Sequence, residues 1–139
     1  WDTRVLATDI SQNALQAAQT AVYDKESLSR LPESWVRKYF CKTNEPGIYT
    51  VSPILKKNVI FRTFNLMDPI QFRLKFDVIF CRNVMIYFDQ PTKSALIQRF
   101  YDATVPGGYL LIGHSESLER NSMNYHYVQP SVYRKPLKS

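Results

Sequence analysis

The sequence contains little of what metal, redox and nucleotide sites commonly require. Its 139 residues include 2 Cys, 2 His and 4 Gly, with no C-x-x-C pair, no His cluster and no G-x-G-x-x-G pattern. A zinc site takes about four ligands at characteristic spacings, so no metal is expected. Cys41 and Cys81 are far apart in the chain and are predicted to be reduced thiols of a cytoplasmic protein.

Long apolar runs are also missing. No run approaches the about 20 residues that span a bilayer, so no membrane insertion is expected. The first residues lack the Met and the apolar region of a secretory signal. They are typical of a chain cut just before a strand.

Acidic residues are outnumbered by basic ones. The chain has 18 Lys and Arg against 12 Asp and Glu, which gives a net charge of +6. The basic residues are dispersed, and the longest runs are pairs such as Lys56-Lys57. This pattern favours a solvated basic surface over nucleic-acid binding. An acidic partner fits the same charge.

The apolar pattern predicts strands that alternate with helices. Residues 4–8 form a short strand that stops at Asp9, and Ser11 then caps an amphipathic helix over 12–22. A strand, an acidic turn and a helix make the first half of a βαβ unit.

Residues 23–57 interrupt this alternation. They contain a helix that begins near Pro32 and a strand at 48–51, ended by Pro53. About 35 residues is too long for a plain loop in a compact domain. The segment is therefore predicted to be a small inserted subdomain.

The alternation resumes after residue 58. The run at 76–81 is nearly all apolar, which is typical of a strand buried on both faces of a parallel sheet. Pro106-Gly107-Gly108 is predicted to end the preceding helix, which covers residues 91–104. The remaining predicted elements are strands at 59–64 and 109–113, a helix at 91–104 and an antiparallel hairpin within 125–134.

Polar side chains follow three of the predicted strands. In open α/β sheets, ligands bind at the carboxyl ends of the strands. Asp9 suits the two hydroxyls of a ribose, Asn65 suits an adenine edge, and Arg82-Asn83 follow the third strand. Taken singly, Asp9 is also explained as a turn residue and Asn65 as a strand end. Their appearance at successive strand ends favours a nucleotide-like ligand.

The segment 80–88, F-C-R-N-V-M-I-Y-F, is the most specific motif. With Phe76-Asp77 before it, it closely resembles the FD-x-I-F-C-R-N-V-M-I-Y-F signature of the CheR chemotaxis receptor methyltransferases. The resemblance extends from about Val5 to Tyr133. Further motifs in the family's order are Ala7-Thr8-Asp9-Ile10, Phe64-Asn65-Leu66, Pro106-Gly107-Gly108-Tyr109-Leu110 and Gly113-His114-Ser115-Glu116-Ser117.

The resemblance implies an α/β fold with the Rossmann-like sheet of a class I S-adenosylmethionine-dependent methyltransferase. It implies transfer of a methyl group from S-adenosyl-L-methionine to glutamate side chains of chemoreceptors, with S-adenosyl-L-homocysteine as the product. Tyr87 falls on the family's tyrosine near the transferred methyl and is the candidate catalytic residue; the alternative is a core aromatic. The resemblance assigns cofactor contacts to Asp9, Asn65, Leu66, Arg82 and Asn83.

Two further assignments complete this interpretation. Residues 23–57 fall where the family carries a small inserted β subdomain, which in some members binds a receptor's C-terminal tail peptide. His114 is adjacent to Ser115 and Glu116, but neighbours in a chain rarely face one another, so a structural role at a strand end is predicted rather than a catalytic one.

The departures from the family are informative. Its helical N-terminal domain, first strand and S-x-G-E-E loop have no counterpart here. The chain is therefore expected to be a partial catalytic domain over 1–139, truncated at the N-terminus, and inactive in isolation. Without the first strand, 4–8 and 76–81 are expected to close on each other or to pair or swap between two chains, unless the upstream residues are simply outside this chain.

Two other functions remain open. A methyltransferase-like domain without its glycine loop is able to act as a non-catalytic receptor-binding module, and cofactor titration would separate this from the enzyme. A nicotinamide-dependent oxidoreductase would share Asp9, but it requires a glycine fingerprint upstream and does not explain residues 80–88.

Overall fold

The computed structural model describes residues 3–118 and 124–138. The chain divides into two compact units, the first ending at Asn65 and the second beginning at Leu66. The first contains β1 (Val5–Asp9), α1 (Gln12–Thr20), β2 (Val22–Asp24), α2 (Glu33–Tyr39), β3 (Phe40–Lys42), β4 (Ile48–Val51), α3 (Pro53–Lys56) and β5 (Val59–Thr63). The second contains β6 (Phe76–Cys81), a 3-10 helix (Met85–Tyr87), α4 (Gln90–Ala103), β7 (Thr104–Ile112), β8 (His126–Gln129) and β9 (Val132–Arg134).

In the first unit, β1 and β5 pair in parallel, with Val5 opposite Val59 and Asp9 opposite Thr63. Helix α1 connects onward from β1 and buries Leu15. Its predicted end at residue 22 is wrong. Ala21 adopts a left-handed conformation (φ 55°) that ends the helix, and Val22 already belongs to β2.

The segment after α1 contains a three-stranded antiparallel sheet in the order β2-β4-β3. Strand β4 matches the predicted strand at 48–51, and α2 begins directly after Pro32 as predicted. The sequence did not predict β2 and β3, because strands of three residues are too short to show a period. The inserted subdomain at 23–57 stays a prediction as a domain boundary.

The second unit contains a sheet in the order β6-β7-β9-β8. Strands β6 and β7 are parallel, and the hairpin β8-β9 joins β7 in the antiparallel sense, which confirms the predicted hairpin. Helix α4 packs on one face through Leu96, Ile97 and Phe100. The remaining buried residues of this core are Cys81, Met85, Leu110, Ile112, Leu118, Tyr125 and Tyr133.

Strand β6 is not buried on both faces, so that prediction is wrong for the described chain. Ile79 and Cys81 face the core beneath α4, whereas Val78 is 43% and Phe80 69% exposed. Alternate side chains of a strand point to opposite faces, and α4 covers one of them. Among the described strands, β1 pairs only with β5, and β6 pairs only with β7.

Strand β7 begins earlier than predicted. It starts at Thr104, so Pro106-Gly107-Gly108 lies inside the strand rather than between a helix and a strand. The register with β6 jumps there from Thr104 to Tyr109, as in a bulge, where Pro is tolerated. Lys135 donates its N–H to the Gly108 carbonyl at 2.8 Å. This pairing keeps the irregular segment in the sheet.

No helix within residues 3–118 and 124–138 is both long enough and apolar enough to cross a bilayer.

Candidate functional site

The first unit brings the ends of β1 and β5 together. Asp9 lies opposite Thr63, and the N–H of Phe64 donates to the Asp9 carbonyl at 3.1 Å. Gln12 at the start of α1 donates from Nε2 to Oγ1 of Thr63 at 2.6 Å. Asn65 follows directly, so two of the predicted cofactor residues belong to one sheet edge, the carboxyl edge where open α/β sheets bind ligands.

The Asp9 side chain is exposed and only half engaged. Its Oδ1 accepts the N–H of Ser11 at 2.8 Å, and Ser11 in turn caps α1 by accepting the N–H of Ala14 at 3.2 Å. The interpretation of Asp9 as a turn residue is therefore correct for one oxygen. The other carboxylate oxygen has no hydrogen-bond partner among the described residues and is available to a ligand hydroxyl.

Leu66, at the start of the second unit, is half-buried, and its carbonyl accepts a short hydrogen bond from Nη2 of Arg99 on α4. The Nε of Arg99 is buried without a partner in the described part of the chain. The guanidinium thus fixes the backbone at Leu66 from beneath. Sequence patterning gave no signal for Arg99, because it lies on a helix with many exposed polar residues.

The loop after β6 carries three of the predicted residues. Arg82, Asn83 and Tyr87 are exposed, whereas Met85 between them is 1% exposed. Asn83 adopts a positive φ of 60°, a conformation that Asn tolerates better than most residues. Such conformations concentrate at functional sites. The loop therefore buries its apolar anchor and presents its polar side chains to solvent.

Tyr87 is 81% exposed. The alternative in which this tyrosine is a core aromatic is therefore wrong. It closes the 3-10 helix Met85–Tyr87, which is held by the N–H of Phe88 donating to the Met85 carbonyl at 3.0 Å. An exposed hydroxyl at this place is free to contact a substrate.

Glu116 is the residue to which the sequence assigned no role. It is 5% exposed, and its carboxylate accepts three backbone N–H groups, from Gly113, Asn83 and Ile86. The signal was present in the G-H-S-E motif, where a glycine and an acid are separated by a turn. Periodicity does not show which of four adjacent polar residues points inward.

His114 has no dyad with Glu116, whose donors are backbone amides. His114 and Ser115 are exposed in the turn that follows β7. The structural role of His114 stays a prediction.

Both cysteines are free thiols, as predicted: Cys41 is exposed and Cys81 buried. Burial, together with the nearby charge of Glu116, raises the pKa of Cys81 to about 11. A thiol so buried and so protonated is a poor nucleophile. Within the described ranges, no group of three or more His, Cys, Asp or Glu residues is arranged to hold a metal ion.

Comparison with known proteins identifies the family of this chain. The family model described as CheR methyltransferase, SAM binding domain, matches residues 1–133. A chemotaxis protein methyltransferase of Borreliella burgdorferi is 42% identical over 136 residues, which are 97% of this chain and 47% of that protein. Chemotaxis protein methyltransferase 1 of Pseudomonas aeruginosa is 38% identical over 135 residues, 94% of this chain and 49% of that protein. The chain spans about half the length of these curated relatives.

A solved structure supports the fold. The N-methyltransferase NodS from Bradyrhizobium japonicum superposes with a TM-score of 0.54 over 96% of this chain and 74% of that one, at 12% sequence identity. At this identity the likeness shows the fold alone, which is the methyltransferase sheet that the sequence predicted.

Proposed function

The chain belongs to the CheR methyltransferase SAM-binding domain family, and on this premise we propose that the protein containing it methylates glutamate side chains in the cytoplasmic regions of chemotaxis receptors. The observation that carries the proposal is the loop after β6, which buries Met85 and exposes Arg82, Asn83 and Tyr87. Exposed polar side chains are ordinary in a surface loop; what ties this loop to the proposal is that its segment 80–88 carries the motif that resembles the family's signature. The reaction is assigned to the cytoplasm, where these receptor regions lie.

The residues present fit S-adenosyl-L-methionine as cofactor. We propose that the unengaged oxygen of Asp9 accepts from ribose hydroxyls and that Asn65, on the same edge, contacts an adenine edge; the hydrogen bond of Ser11 to only one Asp9 oxygen supports this. Leu66, Arg82 and Asn83 are the remaining proposed contacts. When bound, the cofactor supplies a methyl group on a sulfonium, which is an excellent leaving group, and S-adenosyl-L-homocysteine is the product.

The protein's own residues have mainly to orient the substrate. A receptor glutamate is already ionised at pH 7, because its unperturbed pKa is about 4.3. No general base is needed, which agrees with the absence of a His114–Glu116 dyad. The Tyr87 hydroxyl donates a hydrogen bond to one substrate oxygen and aligns the other for attack. Excluding water strengthens the attraction between carboxylate and sulfonium, although desolvation of the carboxylate opposes it.

We propose that the partner is the cytoplasmic region of a chemotaxis receptor. A net charge of +6 suits an acidic, glutamate-bearing surface. Residues 23–57, with the sheet β2-β4-β3, are the part proposed to bind a receptor tail peptide. Trp35 on α2 is 55% and Ile54 on α3 64% exposed, and both offer apolar contacts to such a peptide.

We further propose that the 139-residue chain self-associates through its open strand edges. Among the described strands, β1 pairs only with β5 and β6 only with β7. Their side chains include exposed apolar ones, Val5 at 54% and Phe80 at 69%, and apolar edge strands invite pairing with another chain. Light scattering checks this, and a monomer at every concentration would contradict it.

The function is tested with the complete protein, receptor-containing membranes and methyl-labelled cofactor. Label is expected on receptor glutamates, located by mass spectrometry, and no label is expected on receptors with those glutamates changed to alanine. A protein that binds both cofactor and receptor but transfers no label would instead be a binding module.

A further inference from the structure

Glu116 lies in a tight turn at the end of β7. Its N–H donates to the Gly113 carbonyl at 3.0 Å, which folds the chain back so that the side chain returns toward the strand. The residue is 5% exposed although its two predecessors are exposed. A buried carboxylate is unfavourable unless its oxygens accept hydrogen bonds, so the partners of this one are decisive.

Those partners join two loops. Oε2 accepts the N–H of Gly113 at 2.8 Å and that of Asn83 at 3.3 Å, and Oε1 accepts the N–H of Ile86 at 3.2 Å. Gly113 follows β7, whereas Asn83 and Ile86 follow β6, its parallel neighbour. One side chain therefore satisfies backbone donors after two neighbouring strands of the second unit, at the strand ends where Arg82 and Asn83 lie.

The arrangement leaves little space for a side chain at Gly113. A Cβ atom there would lie 2.5 Å from Oδ1 of Asn83, and 3.0 Å from both the Asn83 nitrogen and Oε2 of Glu116. Gly113, Asn83 and Glu116 therefore constrain one another's positions. Asn83 keeps its positive φ of 60° inside this contact, and its N–H is one of the three that Glu116 holds.

We infer that Glu116 is a positioning residue for the reaction proposed above: its buried carboxylate fixes the backbone of residues 83–86 and so sets where Arg82, Asn83 and Tyr87 present their side chains. The inference rests on the proposed function. The charge of Glu116 reaches the neighbouring core as well, because it contributes after burial to the raised pKa of Cys81.

The test compares Glu116→Gln with Asp102→Asn in the complete protein. Both oxygens of Glu116 accept from N–H groups, so either orientation of a glutamine amide places an NH₂ against a backbone donor. Asp102 is an exposed carboxylate on α4 that accepts from Gln98, and it is the matched control for loss of one negative charge. Glu116→Asp keeps the charge on a shorter side chain.

Three readouts are used: amide hydrogen exchange at Asn83 and Ile86, the Kd for S-adenosyl-L-homocysteine by calorimetry, and the melting temperature. In Glu116→Gln, exchange is expected to accelerate at both amides and Kd to rise about tenfold or more, as for loss of hydrogen bonds to a charged group. Glu116→Asp is expected to be intermediate and Asp102→Asn unchanged.

A lower melting temperature with unchanged Kd in the folded protein would overturn the inference, because Glu116 would then serve stability alone. Unchanged exchange would overturn it as well. If Glu116→Gln does not fold, Glu116→Asp decides between the same outcomes. Wild-type protein that binds no S-adenosyl-L-homocysteine would refute the proposed function and this inference together, whereas equal binding by wild type and variants refutes the inference only.

Discussion

Two carboxylates stand at the ends of parallel strands, one in each unit, and they are used in opposite ways. Asp9 after β1 is exposed, and one backbone amide occupies one of its oxygens. Glu116 after β7 is 5% exposed, and three backbone amides occupy both of its oxygens. The first carboxylate has capacity left for a ligand. The second has been used to hold the protein's own backbone.

The number of hydrogen bonds that each carboxylate accepts therefore distinguishes a ligand-binding role from a positioning role. A buried polar group must be satisfied internally, so a saturated carboxylate contributes through the loops it joins. An exposed and unsaturated carboxylate contributes through what it meets from outside. The predictions below break or sharpen this comparison.

The largest effect is expected for Asp9→Ala in the complete protein. Loss of a charge-assisted hydrogen bond to the ribose costs about 1.5–3 kcal/mol, or roughly ten- to a hundredfold in cofactor affinity. Calorimetric titration with S-adenosyl-L-methionine measures it. Unchanged affinity would remove Asp9 from the site.

Asp24→Ala is the matched control for Asp9→Ala. Asp24 also ends a strand, β2, is exposed, and accepts a nearby backbone N–H, that of Ser27, at 2.7 Å. The turn hydrogen bond is therefore lost in both variants, and the cofactor contact only in the first. Equal losses of affinity would indicate general destabilisation rather than a ligand contact at Asp9.

The contrast between the two carboxylates also marks how far the sequence was informative. Strand ends are visible in a sequence because apolar runs stop there, so Asp9 and Asn65 were placed correctly at neighbouring ends. The long strand β7 was shortened because Pro106 and two glycines interrupt its pattern, although pairing with Lys135 retains them in the sheet. The length of β7 depends on contacts between residues that are distant in the chain, and a sequence pattern does not show such contacts.

The loop after β6 shows the same limit of sequence-based prediction for individual side chains. The motif at 80–88 identified the family, but it did not distinguish the buried Met85 from the exposed Tyr87. The exposure of Val78 and Phe80 was missed, because an apolar run predicts burial without saying which layer covers each face. Glu116 was missed because its three partners lie in two loops that approach only in the folded chain.

Gly113→Ala is the next largest perturbation. The added Cβ atom would lie 2.5 Å from Oδ1 of Asn83 and 3.0 Å from the Asn83 nitrogen and from Oε2 of Glu116, so the Asn83 side chain must shift and its backbone and the Glu116 carboxylate must give by a few tenths of an ångström. Overpacking of this kind destabilises by about 1–3 kcal/mol, measured by urea unfolding. Cofactor affinity is expected to fall as well, which would link the saturated carboxylate to the ligand site.

Gly47→Ala provides the contrast for Gly113→Ala. Gly47 has a positive φ of 78° but nothing within 4 Å of an added Cβ atom, so its substitution strains the backbone without displacing a neighbour. We expect it to lower stability without altering cofactor affinity. A loss of affinity from both variants would indicate general destabilisation.

Tyr87→Phe tests whether exposure in the loop serves the substrate. Loss of one hydrogen bond to a carboxylate is expected to lower kcat about tenfold while leaving cofactor affinity nearly intact. Tyr125→Phe is the opposite case, because that hydroxyl is buried and hydrogen-bonded to Thr104 at 2.8 Å. It should lower the free energy of unfolding by about 1 kcal/mol with little effect on kcat. A Tyr87→Phe protein with normal turnover would leave this hydroxyl without a role in the reaction.

The effect that is smallest at neutral pH concerns the core beside Glu116, because it develops only under alkaline conditions. Burial first, and then the charge of Glu116, raises the pKa of Cys81 from 9.0 to about 11. The folded state therefore retains a proton that the unfolded state loses, so the free energy of unfolding is unaffected below pH 9 and falls as pH rises from 9 to 11. Burial likewise raises the pKa of Tyr125 from 10.0 to about 12, against the lowering effect of its hydrogen bond with Thr104. This extends the decline upward by about one pH unit.

Urea unfolding from pH 8 to 11 measures the decline, and Cys81→Ala should make it shallower. Cys41→Ala is the control for loss of a thiol outside this core, because Cys41 is exposed. Glu116→Gln removes one of the two causes of the raised Cys81 pKa, so that variant should begin to ionise its thiol at lower pH, followed by thiolate absorbance. An unchanged thiol titration would mean that the carboxylate's charge is not felt at Cys81, and burial alone would then account for the protonated thiol. No comparable coupling is expected at Asp9, where solvent reaches the carboxylate and screens its charge.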